Sequence, residues 1–231
     1  MVPPSRIVCL TQETVETLYL LGERDRIVGI SGYAVRPPQA RREKPRASAF
    51  TSANIDKILA LKPDLVLTFS DLQADIAANL IRQGLDVHAF NQRSVAEILD
   101  MIRTLGAMVD ASERAQQLVG TLETRLAEVR SRAARLPKRP RVFFEEWDDP
   151  LISGIGWVSE LIEIAGGIDI FADRGNQGAA KDRVVTAEEV VAWELDLALL
   201  RPDFTRLFKL TTPVDGLIRI VGPLASLPND R

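Results

Sequence analysis

The longest helical pattern in the chain runs over residues 110–136, DASERAQQLVGTLETRLAEVRSRAARL. Ala115, Val119, Leu122, Leu126, Val129, Ala133 and Leu136 return by alternating steps of four and three, which puts them on one face, with arginines and glutamates on the others. Asp110 followed by Glu113 has the form of a capping box, and Pro137 and Pro140 stop the pattern. At ~1.5 Å per residue such a helix is on the order of 40 Å long, more than one small domain requires. It therefore bridges two lobes or pairs with another helix through its short heptad seam.

On either side of it the hydrophobic period switches repeatedly between strand and helix. Arg6–Leu10, Arg26–Ile30, Leu65–Phe69 and Asp86–Phe90 are short apolar runs suited to buried strands. Between and after them, helical patterns cover the stretch from Val15 to Gly22, Asn54–Leu61, Leu72–Arg82 and Val95–Val109. This alternation predicts an α/β lobe with a mostly parallel sheet. After the long helix the pattern restarts, with a strand at Arg141–Glu145 and helices at Val158–Ile164 and Ala187–Trp193. NIDKILALKPDLVL (54–67) aligns without gaps on TAEEVVAWELDLAL (186–199), with an acid in the same place in each, Asp56 and Glu188. A repeat this long is no solenoid. The expected fold class is α/β, two Rossmann-like lobes at 1–109 and 137–231 joined by a single long α-helix at 110–136. Beyond about residue 200 the periodicity is lost, so the second lobe is expected to end short of the elements of the first.

Composition narrows the class without naming a function. With 46% hydrophobic and 26% charged residues in 231, the chain is globular and long enough for two cores. A net charge of −3 offers no electrostatic case for nucleic acid or an anionic membrane as partner. The single Cys9 permits neither an internal disulfide nor a thiolate metal cluster, and no metal or cofactor is expected. The N-terminal MVPPSRIVCL has no secretory-signal pattern, and no stretch reaches the roughly 18 apolar residues of a membrane span. The chain is thus expected to be cytoplasmic, or a mature form whose signal has been removed.

Ligands of parallel α/β sheets sit outside the carboxyl ends of the strands. Phe50, Phe69, Phe90, Tyr33 and Trp147 all fall at such places, which suits a broad, flat, partly apolar ligand, although aromatics there also serve plain packing. Glu145-Glu146-Trp147-Asp148-Asp149 invites a hydrolase with paired carboxylates. Neighbouring strand residues face opposite ways, however, and a solvated rim fits better. Ser153-Gly154-Ile155-Gly156 ahead of a helix could bind an anion, or could be an entry capped by Ser153. His88 has no triad or metal partner in sequence, and Cys9 reads as a small buried apolar residue. Asp56 and Glu188 sit in first helical turns, where they interact favourably with the helix dipole or dock on a basic partner.

PSRIVCLTQETVETLYLLGERDRIVGIS, PPQA, NIDKILALKPDLVL, RVFFEEWDDPLISG and ELIEIAGG, in this order, resemble the substrate-binding proteins of ABC importers for vitamin B12 and ferric siderophores, over roughly residues 5–199. The resemblance implies two α/β lobes on one rigid helix with the ligand held between them, a non-enzymatic monomer, a periplasmic location and an ABC transporter permease as partner. By position it implies that Tyr33, Phe50, Phe69, Trp147 and Leu151 contact a corrinoid such as cobalamin, and that Asp56 and Glu188 dock on the permease. This sequence departs from the family in carrying Thr11-Gln12 for a serine-proline after the first strand, and Asp182 near the place of a cleft tryptophan. A ferric siderophore or haem is the alternative ligand; such anions call for convergent arginines, of which Arg36 is the one candidate. From another class, a cytoplasmic adaptor dimerising through the long helix remains open.

Overall fold

The computed structural model describes residues 2–49, 52–177, 179–193 and 195–200. In chain order the first part contains β1 (Ile7–Cys9), α1 (Gln12–Leu20), β2 (Ile27–Ser31), α2 (Ala40–Glu43), β3 (Arg46–Ser48), α3 (Ile55–Ala60), β4 (Leu65–Phe69), α4 (Ala74–Arg82), β5 (Val87–Phe90), α5 (Val95–Met108) and α6 (Ser112–Ala133). The second contains β6 (Arg141–Asp148), β7 (Leu151–Ser153), α7 (Gly156–Ile164), β8 (Ile168–Asp169), α8 (Ala172–Gly175), α9 (Ala187–Ala192) and β9 (Leu197–Leu200). Two compact units result, one of 1–92 with 96–123, the other of 93–95 with the chain from 124 onward.

The first unit is built on a parallel sheet in the order β3-β2-β1-β4-β5. Its central strand, β1, is apolar at every position because both faces are covered. Ile7, Cys9, Leu65 and Leu67 turn one way, into a core shared with Val15 and Leu18 of α1, Leu99, Ile102 and Leu105 of α5, and Ala115 and Val119 of α6. Val8, Leu10 and Val66 turn the other way, onto Ile58 of α3 and Ile76 and Leu80 of α4. Cys9 is fully buried, and that burial pushes its thiol up to about 12, so it stays protonated and packs as an apolar group. α1 ends at Gly22, whose φ of +75° only glycine adopts without strain.

In the second unit β6 is central, with β8 and β9 parallel to it and β7 antiparallel. Val142 and Phe144 pack with Ile155, Val158 and Ile162 around α7, whereas Phe143, one residue on, joins Ile170, Phe171 and Val185.

The internal repeat extends to the level of single residues. α3 and α9 are each six residues long, β4 and β9 start at the matched Leu65 and Leu197, and the N-caps Asn54 and Thr186 each accept the N–H three residues on. The matched Asp64 and Asp196 then clip the strand that opens each lobe. Asp64 accepts N–H bonds from Ser5 at 2.8 Å and Arg6 at 2.9 Å, and Asp196 accepts one from Arg141 at 2.9 Å and an ion pair from Lys138. Burial raises the Asp64 carboxyl, but the accepted bonds outweigh it and hold it below the ordinary range; Lys138 foremost does the same for Asp196.

Two sequence expectations need correction. The long helix starts at Ser112 rather than Asp110, because Asp110 takes a φ of +59° and closes the end of α5. The predicted stripe is nonetheless the covered face: Ala115 and Val119 are buried, Leu122, Leu126, Val129 and Ala133 half-buried, and Leu136 exposed. The front half of the heptad seam is therefore used within the chain and is closed to a partner helix. Ser153, secondly, does not cap α7, since its hydroxyl donates to the carbonyl of Arg183; the N-cap is Ile155. The expectation of a shortened second lobe falls on residues after 200, outside the described residues.

Candidate functional site

The carboxyl ends of the first lobe's strands are organised by two glutamines. The side chain of Gln12, at the start of α1, accepts N–H bonds from Val35 at 2.6 Å and Arg36 at 3.0 Å and donates to the Arg36 carbonyl at 2.7 Å. Gln73, fully buried, accepts the Phe69 N–H at 3.0 Å and donates to the Leu10 carbonyl at 3.2 Å, tying the end of β1 to the end of β4. On these supports Tyr33 stands out with 65% of its surface exposed, and Phe69 is half-buried at the end of β4. Phe50 lies outside the described residues. Arg36, the candidate for an anionic ligand, is paired with Glu16 at 3.3 Å.

His88 and Phe90 meet edge to face, with centroids 4.4 Å apart, on one wall of an open pocket of about 350 Å³ that also involves Gln92, Asp100 and Met101. Burial lowers the His88 pKa, so its imidazole is neutral at pH 7. Among the described residues no group of three or more His, Cys, Asp or Glu side chains could hold a metal ion.

In the second lobe the acidic run is split by a bulge between Glu145 and Trp147. Glu146 turns to the buried Arg183, pairing at 2.5 and 3.2 Å, while Arg183 also donates to the Ser153 carbonyl. Glu145 is buried, and burial first and Asp148 second push its carboxyl pKa up. The two glutamates thus have separate surroundings and do not form a hydrolytic pair. Trp147 is 44% exposed, its indole N–H donating to the Asp149 carbonyl at 2.9 Å. Leu151 is half-buried against the cluster of Phe143, Ile170, Phe171 and Val185, and Asp182 is exposed.

Asp56 and Glu188 are both exposed, and each is the second residue of its short helix, α3 or α9. Sequence reasoning missed Gln12, Gln73 and Arg183. The available signal was a polar amide just past an apolar strand, at Gln12; at Arg183, which directly follows Asp182, the local sequence points to no buried role.

Each lobe is built on its own sheet, aromatics stand at strand ends, and one helix begins in the first unit and ends in the second. The chain belongs to the periplasmic binding protein family, whose sequence profile matches residues 7–207. Vitamin B12-binding protein of Vibrio cholerae serotype O1 is 31% identical over 175 residues, covering 74% of this chain and 62% of that protein. An uncharacterised ABC transporter substrate-binding lipoprotein of Bacillus subtilis is 28% identical over 180 residues, covering 74% of this chain and 57% of that protein. The chain thus spans less than two thirds of the length of these relatives. The crystal structure of the periplasmic vitamin B12-binding protein of V. cholerae superposes with a TM-score of 0.72 at 28% identity, covering 87% of this chain and 78% of that one. The periplasmic heme-binding protein of Roseiflexus sp. RS-1 gives 0.75 at 24% identity, covering 85% and 76%, a likeness of fold.

Proposed function

We propose that this chain captures cobalamin or a related corrinoid outside the cytoplasmic membrane and delivers it, chemically unchanged, to an ABC permease. The observation that carries the proposal is the 31% identity to Vitamin B12-binding protein of V. cholerae. Exposed aromatic faces on Tyr33 and Trp147 support it, because a corrin ring offers a wide, partly apolar surface suited to such contacts. Tyr33, Phe50, Phe69, Trp147 and Leu151 are the assigned ligand contacts. Asp56 and Glu188 are the assigned permease contacts, one acid from each lobe, with the lobes joined by α6. The protein acts as a monomer.

A haem or ferric siderophore reading asks for arginines free to meet anionic groups. Arg36 and Arg183 are already committed to Glu16 and Glu146. The test is gel filtration of purified protein mixed with cyanocobalamin on the order of tens of micromolar. Coloured ligand co-eluting with the protein is expected, and its absence from the protein peak would sink the ligand assignment. Haemin as competitor separates the two ligand classes.

A further inference from the structure

The segment from Gly32 to Arg36 is an exposed loop in which every backbone N–H is hydrogen-bonded. Gly32 donates to the Ser48 carbonyl at 2.7 Å, Tyr33 to the Ser31 hydroxyl at 3.2 Å and Ala34 to the Ser31 carbonyl at 3.1 Å. Val35 and Arg36 both donate to the side-chain oxygen of Gln12. The amide nitrogen of Gln12 meanwhile donates to the Arg36 carbonyl, so one side chain makes three bonds to two residues of the loop. An amide is the side chain that supplies donor and acceptor together in this way. One turn further along α1, Glu16 takes the Arg36 guanidinium at 3.3 Å. Ala34 is fully buried in the core, which anchors the middle of the loop, while the ring of Tyr33 beside it projects 65% exposed. A ring held out on a backbone already fixed by these bonds lowers the ordering cost of whatever docks on it.

We infer that Gln12 is a positioning residue for ligand capture, acting through Tyr33: its amide fixes the 32–36 loop so that the tyrosine ring is presented before the ligand arrives. The inference rests on the reading of Tyr33 as a ligand contact.

The test is a double-mutant cycle on capture of cyanocobalamin by the full chain, with amide hydrogen exchange read alongside. Gln12→Ala is expected to weaken capture about tenfold, as for loss of a few hydrogen bonds around one anchor. Tyr33→Ala is expected to weaken it at least as much, and the double variant no further than Tyr33→Ala alone. Exchange at Val35 and Arg36 should quicken in Gln12→Ala while the amides of β1 and β4 stay as slow as in the parent, which shows that the lobe remains folded. Capture unchanged in Gln12→Ala overturns the inference, as do losses that add in the double variant. If the parent chain captures no cyanocobalamin, the proposed function fails first; the inference is then judged with haemin through the same cycle, and unchanged exchange at Val35 and Arg36 overturns it outright.

Discussion

Arg183 keeps only 3% of its surface exposed and holds its charge inside the second lobe against Glu146 and the Ser153 carbonyl. Removing one partner of such a pair leaves the other charge uncompensated. Arg183→Ala is therefore expected to lower the unfolding free energy by about 3 kcal/mol in urea titrations. The exposed pair of Arg36 with Glu16 should contribute less than about 1 kcal/mol by the same measurement, because water screens it. Glu145 behaves in the opposite sense from a paired acid. Its folded-state pKa is raised, so it opposes folding as pH rises through the ordinary carboxylate range of about 4 toward the folded value. Glu145→Gln should accordingly raise the melting temperature at pH 7, with the gain vanishing near pH 4. At this scale the sequence was only partly legible. Tyr33, Trp147 and the matched acids could be picked out because aromatic type and repeat position are written locally. Gln12, Gln73 and Arg183 could not, because their partners lie far along the chain or on backbone atoms that no side-chain pattern announces.

Among the elements, the repeat explains why strand and helix positions were readable to within a few residues. Each apolar run is buried on both faces or one, and period alone distinguishes the cases. The short β3, β7 and β8 were missed, since two or three residues carry no period. The start of α6 was misread because Asp110 resembles an N-cap in sequence, whereas the preceding helix claims it as a left-handed terminus. Asp64 and Asp196 illustrate a device that the alignment contained without revealing its purpose. With a folded-state pKa held down, Asp64 stabilises the lobe above the ordinary carboxylate pKa, and that contribution is lost as pH falls through the lower folded value. Asp64→Asn is expected to reduce thermal stability at pH 7, and the difference from the parent should vanish once the pH has fallen through the lowered folded value. Thr186 forms a full capping box with Glu189 on α9, so Thr186→Ala should cost about 1 kcal/mol, measured by chemical unfolding.

For the whole molecule, the relevant features come in pairs: two lobes, the matched six-residue helices α3 and α9 with an exposed acid at their second residue, and one helix that begins in the first unit and ends in the second. That duplication was legible because α3 with β4 and α9 with β9 repeat without a gap. The ligand was not, because aromatic faces specify breadth and apolarity rather than a compound. If the paired acids serve a permease, Asp56→Lys with Glu188→Lys should abolish uptake in a reconstituted importer while leaving ligand capture by the free protein intact. The most direct test is equilibrium dialysis of the purified chain against cyanocobalamin, with haemin in parallel. Saturable retention of one corrinoid per chain at micromolar or lower concentration is predicted. Retention of haemin without cyanocobalamin, or of neither on the order of tens of micromolar, would contradict the assignment.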